Sequence, residues 1–226
     1  MTEIIPAVMP GTLEELASAV APLRGAVPFI QIDSMDGFFV PNKSFPYSDW
    51  QDFSVRVAEE GELPHWRDFN YEFDIMAKNP KEVAGGLIRL GAARLVFHIE
   101  SAPQEEIISL INEAQEFGAE AGVALGNETP LESVSQFREK ADFVQLMGIA
   151  RIGFQGEPFD ERVLSRIKKL RSEYPDLIIS VDGGVNFDTA SQLVEAGANR
   201  LVAGSSIFGS VSPKEAIINL KNAVSD

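Results

Sequence analysis

Cysteine is absent from the 226-residue chain. That excludes disulfides, thiolate nucleophiles and thiolate metal sites. Basic residues are scarce: 19 Lys and Arg stand against 34 Asp and Glu, a formal net charge of -15. The long-range field of such a chain repels polyanions, so nucleic acid and anionic membranes are not expected partners. A small anion can still bind where local backbone N–H groups converge. No apolar run has the length needed to span a bilayer. The opening MTEIIPAVMP lacks a basic region followed by a long apolar stretch, so no signal peptide is read. The expectation is a cytoplasmic protein with no membrane partner. No Pro/Ser linker or low-complexity tract divides the chain, and residues 1–226 are read as one domain.

Forty-five per cent of the residues are hydrophobic, enough for a large core. They fall into strand-length runs: Ile4–Met9, Phe29–Asp33, Tyr71–Ala77, Arg94–Glu100, Glu120–Leu125, Phe143–Ile149, Leu177–Asp182 and Arg200–Ala203. Continuous apolar runs suit parallel strands covered on both faces. Amphipathic segments with helix-start signals lie between them. Thr12-Leu-Glu-Glu15 and Thr129-Pro-Leu-Glu132 read as capping boxes. Asn79-Pro80 and Ser212-Pro213 each place a capping residue before a first-turn proline. Gly91, Gly118 and Gly197 stand where left-handed helix ends are expected. Gly91-Ala-Ala-Arg-Leu-Val96 is echoed by Gly197-Ala-Asn-Arg-Leu-Val202, which fits half-barrel repetition or a chance likeness of two junctions. An open dinucleotide-binding sheet would want Gly-x-Gly-x-x-Gly after the first strand, where Met9-Pro10-Gly11 stands instead. The fold class is therefore α/β, a single (β/α)8 TIM barrel.

Barrel enzymes use residues at the C-terminal ends of their strands. Glycines cluster at the ends of the sixth, seventh and eighth. Gly183, Gly184, Gly204 and Ser205 read as a phosphate cradle, with Gly153 and Gly156 closing over it. The bland reading is that these glycines only make tight turns. Asp33 and Asp182 end the second and seventh strands, where two carboxylates could face each other across the mouth and swap a proton. Asp36 reads as a loop-ordering carboxylate. His65 reads as a loop residue, whereas a core role and a substrate-facing role fit His98 equally. No lysine stands at a strand end, which disfavours Schiff-base chemistry.

These residues resemble a known family. Ile32-Asp-Ser-Met-Asp-Gly-Phe-Phe-Val-Pro-Asn42 is similar to the second-strand signature of ribulose-phosphate 3-epimerases. Asn79-Pro80, Phe97-His-Ile-Glu100, Gly153-Phe154 with Gly156, Val181-Asp-Gly-Gly-Val-Asn186 and Val202-Ala-Gly-Ser-Ser-Ile-Phe208 follow in that family's order and spacing. The resemblance implies a ribulose-phosphate-binding barrel that epimerises a ketopentose 5-phosphate at carbon 3 through an enediolate. It implies Asp33 and Asp182 as the catalytic pair, and Met35, Met147 and Met76 as a polarisable, dry surround. It also implies a divalent metal and a homo-oligomer.

The chain departs from the family where the metal would sit. Gln31 and Asp74 replace the family's two metal-binding histidines, and Ala7 replaces a serine. The loop after the sixth strand is one residue longer and carries Arg151, which could offset nearby carboxylates, bind substrate or be a solvated loop residue. Gln31, Asp33, Asp74 and Asp182 make an all-oxygen set suited to Mg2+ or Mn2+ rather than Zn2+, and the site could also work metal-free. The expected function is an epimerase-like isomerase acting on a ketose phosphate. A divergent sugar-phosphate aldolase or decarboxylase, or a non-catalytic phosphosugar-binding protein, remains open on the sequence.

Overall fold

The computed structural model describes residues 2–224. Eight parallel strands close into a barrel in sequence order. They are β1 (Glu3–Val8), β2 (Phe29–Met35), β3 (Asn70–Met76), β4 (Ala92–His98), β5 (Glu120–Leu125), β6 (Phe143–Met147), β7 (Ile178–Asp182) and β8 (Arg200–Ala203). The barrel closes by pairing of β8 with β1, Ala203 opposite Pro6.

Side chains alternate between the two faces of a strand. Ile30 and Ile32 of β2 and Phe73 and Ile75 of β3 pack outward into the main core, beneath the helices. Gln31, Asp33, Met35, Glu72, Asp74 and Met76 therefore share the inward face. Register sets Asp33 opposite Asp74 and Met35 opposite Met76.

Helices cover the outside: α1 (Leu13–Val20), α2 (Trp50–Ala58), α3 (Lys81–Arg89), α4 (Gln104–Glu116), α5 (Arg162–Glu173), α6 (Ala190–Ala196), the short α7 (Ser205–Phe208) and α8 (Pro213–Ala223). Thr12 caps α1, its Oγ1 accepting from Glu15 N at 3.1 Å. The Glu15 carboxylate reaches back to Gly11 N at 2.6 Å, one residue before the cap. Ser212 caps α8 by accepting from Glu215 N. Gly91, Gly118 and Gly197 end their helices in left-handed conformation.

Two expected starts are corrected. The Thr129 capping box does not form: the Thr129 hydroxyl donates to the Glu100 carboxylate. The crossover after β5 is a 3-10 helix over Leu131–Gln136, entered through Pro130. At Asn79-Pro80 the helix begins at Lys81, and Asn79 contributes its backbone carbonyl to Glu82 N rather than a side-chain cap.

The N-terminal end of the barrel is plugged by charge. Arg94 lies 3.0 Å from Glu3 and 3.1 Å from Glu120, and Arg200 lies 2.8 Å from Glu120. Glu72 is fully buried beneath them, and burial pushes its carboxyl up to about 7 against the pull of both arginines. This closed floor leaves the C-terminal mouth for a ligand. Among the described residues no helix is long and apolar enough to cross a membrane.

Candidate active site

Gln31 and Asp33 lie two positions apart on β2, so both point into the barrel. The Gln31 amide nitrogen donates to Asp33 Oδ1 at 2.8 Å and to Asp182 Oδ2 at 3.1 Å. One amide thus bridges carboxylates contributed by β2 and β7. Asp74 on β3 completes the cluster: oxygens of Asp33, Asp74 and Asp182 lie within 4.8 Å of one another.

Three carboxylates buried this close resist ionising together. Burial first, then Asp182 and Asp74, hold the Asp33 carboxyl well above the ordinary range. Burial and Asp74 push Asp182 up to about 7. Asp74 has its own partners: Gln145 Nε2 donates to Oδ2 at 3.0 Å, and His98 Nε2 lies 3.0 Å from Oδ1. Burial opposes charge on His98, but the Asp74 carboxylate overrides it and the imidazole pKa is raised. His98 is therefore a buried companion of Asp74 beneath the mouth.

Above the carboxylates sits a small cavity of about 40 Å³. Its wall includes Asp33, Asp182 and Met147, and also Gly153, Gly156, Gly183, Gly184, Gly204 and Ser205. The glycine turns of β6, β7 and β8 thus border one space with the two acids. Ser206 ties the last two turns together, its hydroxyl donating to Val185 O at 2.8 Å. The loop after β6 is anchored across the mouth, where Asn42 Nδ2 donates to Gly153 O at 2.7 Å.

Several expected residues stand elsewhere. Arg151 does not line the cavity: its side chain is 67% exposed and makes a bidentate pair with Glu157, which does. The guanidinium meets the site from outside, through Glu157 and the ring of Phe154, 4.9 Å away, both of which line the cavity. Met35 packs with Val40, Met76 and Ile152 as an apolar cluster rather than on the cavity wall. Gln31 and Asp74 are completely buried below the opening. Asp36 orders its loop, accepting from Phe38 N, Phe39 N and Lys78 N.

Sequence reasoning missed Gln145, Gln155, Glu157 and Gly148. Gln145 had left a signal, a lone polar residue inside an apolar strand. Gly148 left none. A Cβ there would lie 2.2 Å from the Gly183 carbonyl oxygen, which is backbone and cannot swing aside. The turns of β6 and β7 touch at this point, joined also by Gly148 N donating to Asp182 O at 2.7 Å. Gly148→Ala is expected to cost about 1–3 kcal/mol of stability by forcing the two turns apart. Urea unfolding measures it; an unchanged midpoint would contradict this packing.

The donor set fits a divalent cation. Gln31 Oε1 is a buried oxygen without a hydrogen-bond donor, and Asp33, Asp74 and Asp182 form a compact hard-donor cluster beside that side chain.

A family model, the ribulose-phosphate 3 epimerase family, matches residues 3–208. The Bacillus subtilis ribulose-phosphate 3-epimerase is 32% identical over 230 residues, covering 99% of this chain and 100% of its own. The Schizosaccharomyces pombe enzyme of the same name is 31% identical, covering 98% and 93%. The solved 3-hexulose-6-phosphate synthase from Salmonella typhimurium superposes with a TM-score of 0.74 over 99% of this chain and 98% of its own. At 16% identity it speaks for the fold alone. A family match over residues 3–208 and relatives above 30% identity make the chain a member of the ribulose-phosphate 3-epimerase family.

Proposed function

We propose that this protein epimerises a ketose 5-phosphate, ribulose 5-phosphate or a close analogue, at the carbon beside its carbonyl. The observation that carries the reading is the pairing of Asp33 and Asp182 through one amide on the wall of a glycine-turned cavity.

The turns at Gly183-Gly184 and Gly204-Ser205, with Gly153 and Gly156, receive the phosphoryl group. Their bare backbone lets N–H groups approach an anion closely. This fixes the sugar so that its reacting carbon reaches the acids. One carboxylate removes the proton, and the C–H electron pair moves toward the carbonyl to give an enediolate. The other carboxyl returns a proton to the opposite face, and the carbonyl re-forms with inverted configuration. The task needs one acid and one base together. Burial and mutual repulsion favour that state near neutral pH, because the pair holds a proton that free carboxylates would have lost. Gln31 keeps both carboxylates in register, and Met147 contributes an apolar wall.

Asp33, Asp74, Asp182 and the Gln31 carbonyl oxygen would hold a divalent cation, Mg2+ or Mn2+ in preference to Zn2+ because every donor is oxygen. Bound there, it would supply positive charge beside the developing oxyanion. Titration calorimetry with Mn2+ is expected to show saturable binding that Asp74→Asn weakens at least about tenfold. If Mn2+ does not bind, the metal-free form of this reading stands, with Gln31, Gln145 and His98 offsetting the carboxylates. Cytoplasmic placement and assembly into a homo-oligomer belong to the same proposal. They are supported by a rice relative named as a cytoplasmic isoform and by Phe38, 81% exposed in the loop after β2.

A further inference from the structure

We infer that Gln155 is a specificity-determining residue: its side chain walls the anion cradle off from an apolar annex, so that a terminal phosphoryl group is admitted and a diester is rejected. The inference rests on the cradle reading above and adds to it which phosphate esters the site accepts.

Gln155 belongs to two cavities at once. One is the central cavity with the acids and the glycine turns. The other, about 270 Å³, lies beyond it against Val8, Met9, Pro10, Glu15, Ala19 and Phe208. Ala7 and Met9 also border both, so the two spaces are neighbours. The Gln155 side chain lies across the boundary. Its amide nitrogen donates to Ala7 O at 3.3 Å and lies 2.6 Å from where a Cβ on Gly204 would stand. It therefore rests directly on the bare backbone that the phosphoryl group is to meet.

A phosphoryl group seated at Gly204 turns one face toward the acids, where the sugar extends, and another toward Gln155. A monoester presents only oxygen to that amide, which can donate to it. A diester would push its second substituent through the amide into the annex. The annex is mostly apolar and would hold an alkyl or aryl group, so it is the side chain, not the space beyond, that excludes the diester.

The test compares glycerol 3-phosphate with its phenyl diester by titration calorimetry. The unsubstituted protein is expected to favour the monoester at least about tenfold. Gln155→Ala should open the annex and bring the diester to within about threefold of the monoester, while Gln155→Leu, which refills the space, keeps the discrimination. If Gln155→Ala still binds the monoester but binds the diester no better than the unsubstituted protein does, Gln155 is not the wall. An unsubstituted protein that binds neither ester overturns the cradle reading, and this inference with it.

Discussion

Asp182→Asn is expected to slow exchange of solvent deuterium into ribulose 5-phosphate by about 10²–10⁴-fold, the usual worth of a positioned acid or base. The same variant should be more stable at alkaline pH. The Asp182 carboxyl is raised to about 7 in the folded state, whereas an unfolded chain releases that proton near pH 4. Between those values the folded form holds a proton that the unfolded form has lost, so stability falls as pH rises through the window. Above it the cost of a buried charge is complete. Asparagine carries no charge and can still accept from the Gln31 amide. With chelator present, so that no cation offsets the cluster, the variant should gain about 1–3 kcal/mol at pH 8 and lose that advantage below pH 4. NMR of the exchanging proton and melting curves across pH read both effects. Full exchange in the variant would remove Asp182 from the chemistry. A lower melting point at pH 8 would mean that the carboxylate is ionised at no cost, and that the clustered charges are already neutralised.

Gly204→Val is expected to remove phosphate binding while leaving the barrel folded. Around a Cβ at Gly204 the tightest neighbour is the amide of Gln155, the movable end of a side chain, and Ala7 O stands at 3.3 Å. The fold can yield there by a few tenths of an ångström, but the cradle cannot, because the valine methyl groups fill the space above bare backbone. Losing two charge-assisted hydrogen bonds of about 1.5 kcal/mol each weakens binding about 100-fold. Inorganic phosphate should raise the melting temperature of the unsubstituted protein and not that of the variant. Equal stabilisation of both would put the anion elsewhere on the molecule. The two variants also separate the parts of the site: Asp182→Asn should still be stabilised by phosphate, because it leaves the glycine turns intact.

The strands were legible because each is a local apolar run, and observed and expected boundaries differ by only a residue or two. Helix starts were legible where a cap acts on its own helix, as at Thr12 and Ser212. They failed at Thr129, whose hydroxyl found a partner 29 residues away in Glu100. The site divides in the same way. Asp33, Asp182 and the glycine turns could be named because they lie at or near the C-terminal ends of strands, which in a barrel face the mouth. Arg151 stayed open between site and solvent because a loop side chain has no period to orient it, and its partner Glu157 could not be foreseen from spacing.

By itself the sequence determined the eight-stranded barrel, the acids at two strand ends and the glycines at three. Those follow from continuous apolar runs and from chain reversals, which act over a few residues. Only the tertiary structure decided that Gln31 bridges Asp33 to Asp182, that His98 and Gln145 hold Asp74, and that Gln155 lies across Gly204. Each of these contacts joins different strands or loops. Barrel closure and strand register set them to within an ångström, and no local pattern in the chain encodes such a distance.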